Sequence, residues 1–111
     1  MGLQLKKTIT IGGFRVNALI DPRATRCLIS PKVVEKYNLP YRDKENPIQL
    51  KMADGTFSQG YGKGWLHLET TPLPISIEGF ESQHSFTIVD LGSLEAIIGY
   101  DWLLKHNLDI N

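Results

Sequence analysis

The stretch "ALIDPRAT", residues 18–25, decides the reading of this chain. A short apolar run is driven inward and then stops on an acid, Asp21, followed by proline and arginine. An aspartate ending a buried strand is either a turn-capping group or a group placed for chemistry. Upstream, "FRVNALI" carries Phe14, Val16, Ala18 and Ile20 on alternate positions, and "LQLKKTITI" carries Leu3, Leu5, Ile9 and Ile11 in the same period. Period-two alternation predicts strands, and Gly12-Gly13 between them supplies a two-residue turn with positive φ, so residues 3–20 are expected to form a β-hairpin. Leu19 adds an apolar side chain on the opposite face, which predicts a strand covered on both sides as it reaches Asp21.

Downstream, "RCLIS" reads as a short strand. In "SPKVVEKYNLP" Ser30 is positioned as N-cap, Pro31 as first helical residue and Pro40 as stop, predicting one short helix. "YRDKENP" reads as a polar loop, and "IQLKM" as a strand leading into Asp54-Gly55, a hairpin-turn signal. Gly60, Gly62 and Gly64 follow before "WLHLET", so this hairpin is expected to be long and exposed. Two further strands turn at Glu78-Gly79, "AIIG" closes the apolar runs, and "YDWLLKHN" predicts a final helical turn or two with Asp101 as cap and Trp102, Leu103 and Leu104 in the core. About seven short strands and two short helices make an all-β expectation, a small closed barrel.

Composition narrows the function classes. The chain has 111 residues, 41% of them hydrophobic, which suits one domain over residues 1–111 with a single modest core. Twelve basic and twelve acidic residues balance, so no broad field attracts nucleic acid or an anionic membrane. No apolar run approaches the roughly 20 residues of a membrane helix. The one cysteine, Cys27, cannot form an internal disulfide and predicts a reducing compartment, hence an intracellular, cytoplasmic protein. His67, His84 and His106 are widely spaced, and only "HLE" sets an acid beside one, so neither a metal site nor a Cys-His pair is expected, and no cofactor. Cys27 reads as a small buried residue.

Asp21 with Ala24-Thr25, and "AIIGYDWLLKHNLDI" far downstream, form a second pattern, with "MADGTF", "PKVVEKYNLP" and "FTIVDLG" in order between them. In these motifs the chain resembles the retropepsin-like aspartic protease domains of gypsy-class long-terminal-repeat retrotransposons. The resemblance implies an acid-protease β-barrel supplying half an active site, with a homodimer bringing together one Asp21 from each copy to act on an extended peptide or polyprotein. Two carboxylates about 3 Å apart cannot both ionise, so one serves as base on a water while the other donates to the substrate carbonyl. By the same resemblance Met52, Ala53, Asp54, Gly55 and Thr56 belong to a substrate-binding flap. Ile97, Ile98 and Gly99 form the structural loop under the aspartate.

The chain departs from the family at positions 22 and 23. The family's aspartate is followed by Ser or Thr and then Gly, whereas here Pro22 and Arg23 follow. Pro22 has neither the hydroxyl that links the two aspartate loops across the dimer axis nor an N–H. Arg23 brings a Cβ and a cation where glycine leaves room, and a guanidinium within about 4–6 Å favours ionised carboxylates over a shared proton. The expectation is a half-site that is catalytically impaired or inactive and serves as a peptide-binding or dimerisation module, a pseudoprotease. The alternative is an active homodimeric endopeptidase that tolerates the altered triplet. The ending "HNLDIN" also differs from the family's usual "HNPxIDW".

Overall fold

The computed structural model describes residues 5–49 and 65–105. Nine strands and two helices are found there: β1 Leu5–Ile11, β2 Phe14–Ile20, β3 Leu28–Ile29, α1 Pro31–Lys36, β4 Tyr41–Gln49, β5 Trp65–Thr70, β6 Leu73–Ile77, β7 Phe80–His84, β8 Thr87–Ile88, β9 Ala96–Ile98 and α2 Tyr100–Lys105. The strands form one sheet in the order β4-β5-β8-β3-β9-β2-β1-β6-β7, curled into a half-barrel.

The β1–β2 hairpin closes at Gly12 and Gly13, whose φ values of +61° and +87° are the pair that a tight two-residue hairpin turn demands. Its alternation places Ile9, Ile11, Val16, Ala18 and Ile20 in the core. Phe14, expected on the same face, is 40% exposed and stacks on Tyr37 instead, with ring centroids 4.4 Å apart. Helix α1 begins as the sequence predicts: Ser30 Oγ accepts from the Lys32 N–H at 3.2 Å, and Pro31 takes the first turn, where no N–H is missed.

Residues 41–47, read from the sequence as a loop, are strand. β4 is the end strand of the sheet and pairs antiparallel with β5, with a register shift between Asp43 and Ile48. Charged residues and Pro47 mimic a loop because an end strand is half solvated and blunts its free edge with charge and irregularity. Arg42 lies directly opposite Glu69, and Lys44 reaches the same carboxylate. Leu104 is likewise not core: it is 62% exposed, because successive helical residues are turned about 100° apart, and with Trp102 and Leu103 inward the next side chain faces solvent.

The junction that matters is at β9. Strands β2 and β3 are consecutive in sequence yet not adjacent in the sheet, because β9 lies between them. It runs parallel to β2, with Ile20 opposite Ile98, and antiparallel to β3, with Leu28 opposite Ile97. Residues 21–27 must therefore arch over the end of β9. Both faces of this region are covered: Ala96 and Ile98 join the main core with Trp102 and Phe86, while Ile97 packs with Leu28, Leu66 and Val89 on the other side.

Candidate functional site

Asp21 sits at the start of this arch. Its N–H donates to the Ile98 carbonyl at 3.0 Å, which continues the β2–β9 ladder by one residue and fixes the acid beside Gly99. The Ala24 N–H donates back to the Asp21 carbonyl at 3.1 Å, closing a tight turn over Pro22 and Arg23. The far leg is held from α2, whose Tyr100 N–H donates to the Ala24 carbonyl at 2.7 Å. Gly99 lies directly below. A Cβ built there would stand 2.4 Å from the Arg26 carbonyl oxygen and 2.9 Å from that of Ala24, so only glycine lets the arch approach this closely.

The Asp21 side chain is 13% exposed. Its Oδ1 accepts from the Arg23 backbone N–H at 3.0 Å and from Arg23 Nε at 3.2 Å. The cation that the sequence sets two residues after the acid thus folds back onto the acid itself. The Arg23 side chain is 64% exposed, so its contact with Asp21 is made at the surface. Thr25 is exposed on the same arch, while Pro22 and Ala24 are half-buried. Of the other residues singled out from the sequence, Ile97, Ile98 and Gly99 lie beneath the arch, whereas Met52, Ala53, Asp54, Gly55 and Thr56 fall outside the described residues.

A second cluster lies behind the arch, and sequence spacing gave no sign of it. Cys27 ends the arch, His84 ends β7 and Asp101 is in the first turn of α2. The Cys27 thiol donates to Asp101 Oδ1 at 3.3 Å, the Cys27 N–H donates to Oδ2 at 3.3 Å, and His84 Nε2 lies 3.1 Å from Oδ2. Asp101 also accepts from the Trp102 N–H at 2.7 Å. Burial pushes the Cys27 thiol far above its ordinary range, and the neighbouring Asp101 charge adds to this. For Asp101 burial acts to raise the pKa, but hydrogen bonds from His84 and Cys27 outweigh it and hold the carboxyl below the usual range. Asp101, read from sequence as a helix cap, lies inside the first turn of α2, and its carboxylate faces His84 and Cys27.

The family model described as the PEG10/RTL1 protease domain matches residues 17–111. Among solved structures, the retroviral protease-like domain of Ddi1 from Leishmania major superposes with a TM-score of 0.66 at 18% identity, over 97% of this chain and 81% of that one. EIAV protease complexed with the inhibitor HBY-793 gives a TM-score of 0.70 at 16% identity, over 97% and 92% of the two chains. No curated protein sequence matches. At these identities the two structures speak for the fold.

Proposed function

Because the chain belongs to the PEG10/RTL1 protease domain family, we propose that it is a retropepsin half-site whose catalysis is impaired at Pro22-Arg23 and whose cleft serves as a peptide-binding or dimerisation module. One observation carries this reading: Arg23 donates twice to Asp21 Oδ1. In an aspartic dyad the carboxylate oxygens must hold one shared proton and one water between them. Here one of those oxygens is already engaged by a cation from its own loop. Two copies facing each other would bring two such cations to the axis, and Pro22 supplies no hydroxyl with which one loop could grip the other. An extended peptide held by strand addition needs neither feature.

A second reading is an active homodimer with one Asp21 per copy acting on peptide or polyprotein. It is favoured by the exposure of Arg23: a pair at the surface is worth about 0–1 kcal/mol, so substrate or a partner loop could displace it. A reducing, intracellular setting fits the free, buried Cys27. Among the described residues no helix is long and apolar enough to cross a membrane.

The deciding experiment incubates the chain and its Asp21→Asn variant with a library of extended fluorogenic peptides, with and without pepstatin. Impairment predicts no turnover above the Asp21→Asn baseline, together with saturable peptide binding by anisotropy. Pepstatin-sensitive turnover that disappears in Asp21→Asn would establish the active homodimer in its place.

A further inference from the structure

Three side chains of different chemistry, drawn from three separate elements, converge behind the arch. Cys27, His84 and Asp101 each offer a ligand atom, and no two of these atoms lie more than 4.8 Å apart. We propose that they form a binding site for one zinc-class divalent ion, held by Cys27 Sγ, His84 Nε2 and an Asp101 carboxylate oxygen, with the fourth position open to water.

The donor set selects the ion. Thiolate, imidazole and carboxylate together are what zinc and its neighbours take, whereas magnesium and calcium require oxygen shells. The spacing is close to that needed. Ligands about 2.0–2.3 Å from a tetrahedral ion stand roughly 3.3–3.7 Å from one another. Sγ stands 3.3 Å from Oδ1 and Nε2 stands 3.1 Å from the other oxygen, Oδ2, with the three donors all within 4.8 Å, so a small side-chain adjustment closes them on one ion.

The surroundings are those of a supported site. The Gly99 N–H points at Cys27 Sγ from 3.4 Å, and the N–H groups of Cys27 and Trp102 hold the two carboxylate oxygens. Phe86 meets the His84 ring edge-on, with centroids 6.1 Å apart at 81°, which restrains the imidazole. Such outer contacts orient metal ligands before the ion arrives. Access is from one side: Cys27 is buried, while the side chains of His84 and Asp101 are 14% and 35% exposed. On binding, the thiol proton passes to solvent, the sulfur–metal bond replaces the S–H···O bond, and thiolate plus carboxylate neutralise the ion's two charges.

An ion here would fasten the end of β7 and the start of α2 to the far leg of the Asp21 arch. The site is independent of whether Asp21 cuts peptides. The test is a titration of the full chain, in reducing buffer after chelation, with cobalt(II) as optical probe and zinc(II) as competitor. One cobalt per chain is expected, with a thiolate charge-transfer band and the intense visible bands of a tetrahedral ion, all displaced by zinc. Zinc is expected to raise Tm by several degrees. Cys27→Ser removes the charge-transfer band, and His84→Gln weakens binding at least about tenfold. Absence of the band at excess cobalt in the unaltered chain overturns the proposal, as does its survival in Cys27→Ser or unchanged affinity in His84→Gln. Should Cys27→Ser fail to fold, the unaltered chain and His84→Gln still decide.

Discussion

Arg23 is hydrogen-bonded to Asp21 twice over, through its backbone N–H at 3.0 Å and its Nε at 3.2 Å, and both bonds end on the same oxygen, Oδ1. The first bond belongs to the turn itself and would survive most substitutions at position 23. The second belongs to the arginine side chain. Pro22, with φ restricted by its ring, stiffens the turn between them. The acid is thus well placed on its strand, one residue beyond the Ile20–Ile98 pairing, while its oxygen is occupied by its own neighbour.

Restoring the family triplet by Pro22→Ser with Arg23→Gly is therefore expected to release pepstatin-sensitive cleavage. The gain should be on the order of 10²-fold or more in kcat/KM over the parent, the scale of general acid–base catalysis. Adding Asp21→Asn to the restored chain should abolish it. Arg23→Gly alone should fall short, since the hydroxyl across the axis is still missing. Progress curves on a fluorogenic peptide check all four chains, and a restored triplet without turnover would show that impairment lies elsewhere than in these two residues.

Gly99→Ala should cost about 2–4 kcal/mol, because its Cβ would stand 2.4 Å from a backbone oxygen that cannot rotate away. The arch must lift or β9 must shift. Leu104→Ala, one helical turn away and largely exposed, should stay within about 0.5 kcal/mol. Urea midpoints at constant m-value measure both, and a Gly99→Ala chain as stable as Leu104→Ala would mean that the arch is not packed against this glycine.

The Cys27 thiol is buried and its pKa is driven up, first by burial and then by the Asp101 charge, so it is a poor nucleophile in the folded chain. With metal removed, Ellman's reagent should label it at least about 10³-fold more slowly than in urea-unfolded protein, at a rate set by opening of the fold. Rapid labelling of the native chain would contradict the burial of this residue.

The hairpin, the Ser30 cap and the strand ending on Asp21 were legible because local pattern and tertiary role agree there. β4 was not, since an end strand pairs on one side only and its charges read as loop until Glu69 is seen across the ladder. Leu104 misled because three consecutive helical residues fan over about 200° and cannot all face one core. The Asp21–Arg23 contact lay within reach of sequence, as both sit in one turn. The Cys27–His84–Asp101 convergence did not: its members lie in three elements that become neighbours only when β9 slots between β2 and β3 and α2 follows it.

Glu69 receives Arg42 Nε at 2.9 Å and Lys44 Nζ at 3.2 Å, and its side chain is 19% exposed while that of Lys44 is only 9% exposed. Glu69→Gln leaves a largely buried ammonium without its anion, and should cost about 2 kcal/mol at neutral pH. Glu78→Gln, which breaks the exposed pair with Lys7, should cost no more than about 1 kcal/mol. The two variants should also differ with pH. At Glu69 burial acts to raise the pKa, but the bonds from Arg42 and Lys44 prevail and set it below the ordinary glutamate value of about 4.3. The unfolded chain then binds the proton more readily than the folded one, so this contribution is fully present above about pH 4.3 and is lost as pH falls through the lower folded value. Urea unfolding from pH 7 to pH 3 should show a shallower acid decline in Glu69→Gln than in Glu78→Gln. Equal declines would show that the Arg42–Glu69–Lys44 cluster is too solvated to discriminate between the charged and neutral acid, and that β4 is held to β5 by its backbone ladder alone.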